Sequence, residues 1–577
     1  MYIKKNILIH TFLSVRRLLP RHLKIHGFWV MISLFINSVF DLLGIAALFP
    51  LFTIILQDDI LSNKYLKNIY ETLGFQDSNF FFISICIAIL VLVGIKNLIY
   101  VFSKRFQARF AYILYEHYTG KLMDITYNKG FDHLNNKNSN VVLRDISHVP
   151  RMYALLLVLP LLTLLNELIV VVIILGVLFF FYPMITLILL IILIPMIVLF
   201  YNSVKKHITF LEESLNELVP ENTRYIFDIL FGFQDIVMSN TFGYFRRKFK
   251  KTVKKERRYR SALAVYNELP TRVVEIGVMT AIVIILAYCY FYIDTVEERL
   301  SLLGIFGFAA FRLMPSFNKI LTAVVRIKGQ QYTFDTINEC VKPQTRQSRK
   351  QKPISFQNHI KIDQLTYYYL DGEEKVNILK DFSFDINKGE FVGIVGPSGS
   401  GKSTLIRILL RFIHEKEGAI YVDDQKLEDA YDKAWRKLIG YVRQDVFIVD
   451  GTMKENICFG VTNVDEEKLK RSIKMAGLEQ FVSQLKEKEN TKIGERGDQV
   501  SGGQRQRIGI ARALYNEPEI LVLDESTASL DTKTEVEVLK TIKALSDQYN
   551  LTILLITHNQ KNLQYCDKVI QIGTEDK

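Results

Sequence analysis

Gly396-Pro397-Ser398-Gly399-Ser400-Gly401-Lys402-Ser403-Thr404 lies directly after the apolar run Phe391–Val395 and directly before the helical pattern Leu405–Leu410. A strand, a glycine-rich turn and a helix in that order make a phosphate-binding P-loop. The turn lets consecutive backbone N–H groups converge on a polyphosphate, and the helix adds its positive N-terminal end. In such a site Lys402 reaches the β- and γ-phosphates and Ser403 ligates Mg²⁺. A glycine-rich turn alone is a weak signal; the flanking strand and helix make this one specific.

The other parts of a nucleotide-hydrolysing site follow in order. Ile520–Glu525 is an apolar strand ending in two carboxylates. Asp524 suits the Mg²⁺ shell, and Glu525 suits a general base that polarises the attacking water. Val500-Ser501-Gly502-Gly503-Gln504 precedes the helical run Arg505–Leu514, a second glycine-rich helix N-terminus fit for a phosphate. One chain has no second nucleotide that obviously needs it. The runs Phe391–Val395, Ile520–Leu523 and Thr552–Ile556 are apolar on both faces, as central parallel strands are.

Upstream the chain changes character. Its 577 residues are too many for one core, and 49% of them are hydrophobic. A formal net charge of +12 suits nucleic acid or an anionic membrane surface. The apolar residues decide between the two, because they concentrate before about residue 330 in runs long enough to cross ~30 Å of hydrocarbon. A membrane protein is expected, with no nucleic-acid partner. Six spans are expected, at about Phe28–Leu56, Asn79–Phe102, Met152–Phe181, Met184–Tyr201, Ala262–Ile293 and Leu302–Val325.

The segments Lys104–Arg151 and Lys205–Arg260 are long and basic, whereas the loops around Asp58 and Asp294–Glu298 are short and acidic. The basic segments, the N-terminus and everything after residue 330 are therefore expected on the cytoplasmic side. Gly130–Asn138 and Asn216–Arg224 interrupt the helical pattern, which predicts a short crosswise helix in each long inner segment. Lys342–Pro353 is polar, basic and aperiodic, as a linker is. The expected organisation is an all-α transmembrane domain with six helices over 1–330, a linker over 331–355, and an α/β P-loop NTPase domain over 356–577. The five cysteines show no CxxC pair and no metal-ligand spacing. The N-terminus carries Lys4, Lys5, Arg16, Arg17, Arg21 and Lys24 without a short apolar segment and cleavage site, so no signal peptide is expected.

From about residue 356 onward the chain resembles the nucleotide-binding domain of ATP-binding cassette proteins. The P-loop, the Ser501–Gln504 stretch and the Asp524–Glu525 strand end carry the resemblance. It implies that Tyr369 stacks on adenine, that Gln444 senses Mg²⁺ and the membrane domain, and that Asp531 sits in the loop after the catalytic strand. It implies Ser501, Gly502, Gly503 and Gln504 as the signature that closes on ATP held by a second subunit, and His558 as the switch residue against the γ-phosphate. Gly494–Gly497 resembles an exporter-specific loop that touches the partner's cytoplasmic helices. Val500 stands where leucine is usual. Tyr367 is the alternative adenine platform, while strand alternation puts Tyr368 on the opposite face. The spare anion site is then explained by a dimer. Glu525 and His558 in one chain favour a homodimer over a heterodimer with one degraded site.

Six spans followed by such a cassette resemble an exporter half-transporter of the cytoplasmic (inner) membrane, in which ATP-driven cassette closure opens a cavity outward and hydrolysis resets it. Ionisable residues inside spans mark function, and Lys96, Glu167, Arg272, Glu275, Arg312 and Lys319 fall there. Arg272 and Glu275, three apart, are expected to neutralise each other. Lys96 and Arg312 are read as having no local partner, so a dimer would bring four cations to a shared cavity and favour an anionic substrate. Ala309–Ser316 with Asn318, Lys319 and Ile320 resembles the sixth span of bacterial lipid-linked oligosaccharide flippases, which implies an anionic glycolipid substrate. Lys96 stands where an arginine is expected there, keeping the charge and losing the bidentate fork. The alternatives are a general lipid or multidrug exporter and an ATP-gated channel or regulator.

Overall fold

The structure, a computed structural model, describes residues 7–46, 68, 70–72, 74–75, 77–293, 296–341, 351–371, 374–494, 499–525 and 532–573. By its internal contacts the chain divides into one unit of Met1–Lys129 with His133–Gln344 and a second of Gly130–Asp132 with Thr345–Lys577.

The first unit is helical. Its elements are α1 Ile7–Leu18, α2 Leu23–Ala46, α3 Ser78–Asn128, α4 Gly130–Asn136 (apart from its first three residues, which count with the second unit), α5 Ser139–Phe181, α6 Pro183–Phe231, α7 Phe233–Met238, α8 Phe242–Tyr292, α9 Val296–Gly329 and α10 Thr333–Glu339. Among the described residues, 5 helices are long and apolar enough to cross a membrane: α2, α3, α5, α6 and α8. The 34-residue α9 contains the remaining expected span. The end of the first expected span (residues 47–56), the loop around Asp58, and Asp294 lie outside the described residues. Pro183 opens α6 where its missing N–H has no helical partner to lose. Val170, Leu193, Val274 and Leu313 form one core across α5, α6, α8 and α9. Val172, Ile191, Leu199 and Val283 are exposed instead. Lipid solvates such faces, because each helix satisfies its own backbone.

The crosswise-helix expectation needs one correction. Gly130–Asn136 does form a separate short helix. Asn216–Arg224 does not break the chain; it lies inside α6. Pro220 removes one backbone bond, but Leu215, Leu218 and Tyr225 are buried on either side of it and hold the helix through that loss. The break comes at Gly232 (φ −91°, ψ 16°), and α7 follows it. Within the segment expected as a linker, α10 buries Phe334 and Ile337 in the cluster that contains Tyr118 and Tyr153. Residues 342–350 of that segment lie outside the described residues.

The second unit is α/β. A 4-stranded antiparallel sheet runs β2-β1-β4-β5, from β1 His359–Asp371, β2 Glu374–Asn387, β4 Glu417–Val422 and β5 Gln425–Lys426. A 5-stranded parallel sheet runs β6-β7-β8-β3-β9, from β3 Phe391–Val395, β6 Ile439–Val442, β7 Ile520–Asp524, β8 Thr552–Ile556 and β9 Lys568–Gln571. Helices α11 Lys402–Leu409, α12 Gly502–Tyr515 and α13 Thr532–Tyr549 accompany it. The three strands read as central are β7, β8 and β3, side by side and almost wholly buried. Their register pairs Ile394 with Ile556 and Asp524 with Ile556. The three carboxyl ends therefore finish level, which is where open α/β sheets bind ligands.

Candidate functional site

The P-loop leaves β3 through glycines that no other residue can replace without strain. Gly399 (φ +82°) and Gly401 (φ +98°) are left-handed. A Cβ on Gly396 would stand 2.5 Å from the Ile572 carbonyl oxygen. Lys402 is buried, and its Nζ donates to the carbonyls of Gly396 (2.9 Å) and Pro397 (2.8 Å). Among the described residues no carboxylate pairs with it, so its charge is held in place without being neutralised. Ser400 Oγ is buried with no hydrogen-bond partner. A held cation, an orphaned hydroxyl and the first N–H groups of α11 at Lys402–Thr404 fit a polyphosphate.

Asp524 ends β7, and Tyr441 on β6 donates its hydroxyl to Asp524 Oδ2 at 3.0 Å. Burial raises the Asp524 pKa; the Tyr441 hydrogen bond opposes that rise and the neighbouring Glu525 charge adds to it. Burial and the Asp524 charge push the Tyr441 hydroxyl well above its ordinary value. Glu525 has φ +47°, an uncommon conformation for a residue with a side chain, and its N–H donates to the Ile556 carbonyl at 3.1 Å. Its carboxylate lies 2.6 Å from His558 Nε2. The segment that bears His558 is tied to α13 by Glu535, which accepts from Asn562 (2.6 Å) and Asn559 (3.2 Å).

Gln444 is exposed in the loop after β6. Ser403 follows Lys402 in the first turn of α11. These two side chains and Asp524 are oxygen donors, which suits a hard cation such as Mg²⁺. Tyr369 is 42% exposed whereas Tyr367 is 4% exposed in the core, so only Tyr369 offers an open ring face. Ser501 caps α12 in a reciprocal box with Gln504: Ser501 Oγ accepts from the Gln504 N–H, and the Ser501 N–H donates to Gln504 Oε1 at 2.8 Å. The box leaves Gly502 and Gly503 at the start of the helix without side chains over their N–H groups. Asp531 and Glu495–Gly497 lie outside the described residues.

Sequence reasoning missed Tyr441, Glu535 and the Glu525–His558 contact. Tyr441 carried a faint signal, since it falls on a short strand just before Gln444. Glu535 and the contact depend on how α13 and β8 pack, and carry none.

In the first unit, Lys96 and Arg312 are not partnerless as expected. Asp41 on α2 bridges them: its Oδ1 is 3.0 Å from Lys96 Nζ and its Oδ2 is 2.9 Å from Arg312. Glu167 on α5 accepts from Ser316 (2.7 Å) and Lys319 (2.9 Å), and lies 3.7 Å from Arg312. Arg312 also donates to Ser316 at 2.7 Å. Three cations thus meet two carboxylates from other helices, as buried charge requires. Asp41 was legible by the same rule that picked out Glu167, since it lies inside the first expected span. Arg272 and Glu275 do pair with each other, at 2.9 Å.

Residues 379–528 match the family model described as ABC transporter. The second unit is an ABC-type nucleotide-binding domain. The uncharacterized ABC transporter ATP-binding protein YwjA of Bacillus subtilis is 36% identical over 264 residues, 45% of this chain and 45% of that protein. A putative export ATP-binding/permease protein of Rickettsia felis is 40% identical over 220 residues, 38% of this chain and 37% of its own length. A putative multidrug export ATP-binding/permease protein of Staphylococcus aureus is 38% identical over 222 residues, 38% of either chain. The match spans under half the length of each of these relatives. A bacterial Atm1-family ABC exporter solved with ATP bound has a TM-score of 0.77 at 19% identity, covering 96% of this chain and 94% of that one. That likeness establishes the fold, a helical membrane domain followed by an ABC-type domain.

Proposed function

We propose that this chain is one half of an ATP-driven exporter of the cytoplasmic membrane, working as a homodimer. The observation that carries the reading is the Glu525 carboxylate held against His558 at the level carboxyl ends of β7 and β8, beside the P-loop of β3. In this reading Tyr369 stacks on the adenine, and Gly396–Gly401 with Lys402, Ser403 and Thr404 bind the phosphates. Ser403, Gln444 and Asp524 would hold Mg²⁺, which when bound neutralises charge on the β- and γ-phosphates. Glu525 accepts the proton of the attacking water, and His558 orients that carboxylate and faces the γ-phosphate. Ser501, Gly502, Gly503 and Gln504 close on the ATP of the second copy, and Asp531 counts among the nucleotide-site residues by the family resemblance alone.

For the substrate we propose an amphipathic molecule moved out of the inner leaflet. A lipid-linked oligosaccharide or related anionic glycolipid is the finer form of this proposal, resting on the Arg312–Ser316 stretch and on Lys96. One observation favours the second reading, a general lipid or multidrug exporter: Asp41 and Glu167 already neutralise most of the charge that an anionic head group would need. The export and multidrug-export descriptions of the Rickettsia and Staphylococcus relatives accord with that reading. The test uses purified protein in vesicles, with ATPase rate and movement of a fluorescent lipid-linked oligosaccharide or of an amphipathic dye read together. Uphill, ATP-dependent movement of either probe supports an exporter and tells the two readings apart. ATP hydrolysis with passive movement only would support a gated channel instead.

A further inference from the structure

A cavity of about 670 Å³ opens between the turn after α1 and the cytoplasmic part of α3. Arg17, Arg21, Lys24 and Lys121 line it, with His22 and His117, and among the described residues no acidic one does. Among the described residues none of the four cations makes an ion pair. The cavity is built rather than incidental. Tyr118 donates its hydroxyl to the Leu18 carbonyl at 2.7 Å, tying the end of α1 to α3, and the His22 and His117 rings meet edge to face at 5.3 Å.

Its depth follows from its neighbours. The first candidate span begins at Leu23. Phe28 and Trp29, 64% and 56% exposed, lie about 8 Å further along α2 at ~1.5 Å per residue. Exposed aromatic rings at the start of a span sit at the head-group level. A basic cavity at that level, on the side where positive residues gather, matches a phosphate-bearing head group whose chains lie along the apolar surface of α2.

We propose that this cavity is a binding site for an anionic phospholipid head group, independent of what the protein exports. The shared chemistry is a phosphate ester, which a soluble phosphate also offers; the exposed apolar surface at Ile25, Phe28 and Trp29 favours the lipid. Charges that merely orient the chain in the membrane need no particular lipid beside them, and this separates the proposal from a topology signal.

The chain contains 2 tryptophans. Trp435 is 1% exposed in the α/β unit, so lipid quenching reports Trp29. The full chain is reconstituted with brominated phosphatidylglycerol or brominated phosphatidylcholine at equal mole fraction, and the ratio of their affinities at Trp29 is measured. Phosphatidylglycerol is expected to win clearly. Lys121→Gln lowers that preference about fivefold, and the combined Arg17→Gln, Arg21→Gln, Lys24→Gln and Lys121→Gln variant abolishes it. The matched change of Lys250, Lys251, Lys254 and Lys255 to Gln on α8 leaves it intact. ATPase activity confirms folding, and Lys121→Gln alone decides the matter if the combined variant does not fold. Undiminished preference in Lys121→Gln, or equal loss in the α8 control, overturns the proposal. Abolition of the preference by inorganic phosphate, with chloride at matched ionic strength inert, overturns the lipid assignment in favour of a soluble phosphate.

Discussion

His558 Nε2 lies 2.6 Å from Glu525 Oε1, joining the residues that leave the neighbouring strands β8 and β7. Glu525 occupies a left-handed backbone conformation to make this contact, and its N–H is secured on the Ile556 carbonyl of β8. In the proposed role of Glu525 as general base, a carboxylate held this way spares the reorganisation that a free glutamate would need during reaction.

Glu525→Gln is expected to keep ATP binding and lose hydrolysis by about 10²-fold or more, because an amide cannot take the proton of the attacking water. His558→Ala is expected to show a similar loss. Nucleotide binding measured beside phosphate release checks both, and turnover equal to the unmodified chain would remove Glu525 from the base role.

Composite sites make a second expectation. A Lys402→Ala chain mixed with a Ser501→Arg chain should recover part of the activity that each lacks alone, since one of the two shared sites then has an intact P-loop facing an intact signature. A mixture no more active than the average of its parts would show that each chain works by itself.

The Asp41 bridge turns the cation pair into a stability element. Asp41→Asn leaves Lys96 and Arg312 without their common counter-ion, and breaking a buried pair costs about 3–5 kcal/mol. Thermal unfolding of the detergent-solubilised chain should show a large drop. Replacing Lys96 and Arg312 together with Asp41 by neutral residues should recover much of it, because no uncompensated charge then remains. Transport by the triple variant reports whether those cations also serve the substrate.

Asp423 accepts from the N–H groups of Gln357 (3.0 Å), Asn358 (2.7 Å) and His359 (3.0 Å). Burial disfavours its charge, but the three donors outweigh burial and hold its pKa below the usual aspartate value. A depressed acid stabilises the fold above its unfolded pKa, about 3.9, and that stability is lost as pH falls through the lower folded value. The Tm difference between the unmodified chain and Asp423→Asn should be full at neutral pH and shrink below about pH 4. A difference independent of pH would mean that the carboxylate charge plays no part.

The two halves and the P-loop were legible because their signals are local. Apolar runs of spanning length, a glycine pattern between strand and helix, and a pair of acids at a strand end can each be seen within twenty or so residues. Spacing in the family pattern selects Tyr369 over Tyr367; the structure adds that both rings point to one side of β1 while the sheet's packing hides only Tyr367. The crosswise helix after α6 was misplaced because Pro220 marks a local weakness, whereas the packing of Leu215, Leu218 and Tyr225 carries the helix past it.

The sequence alone determined that this chain has a helical membrane half and an α/β half, and where along it the glycine-rich turn and the pair of strand-end acids lie. Only the tertiary structure decided that Glu525 meets His558, that Tyr441 supports Asp524, and that Asp41 and Glu167 neutralise the cations of the membrane half. The physical reason is that a motif is a property of neighbouring residues, while a charge's partner depends on how distant helices and strands are rotated against one another by the packing of their apolar faces.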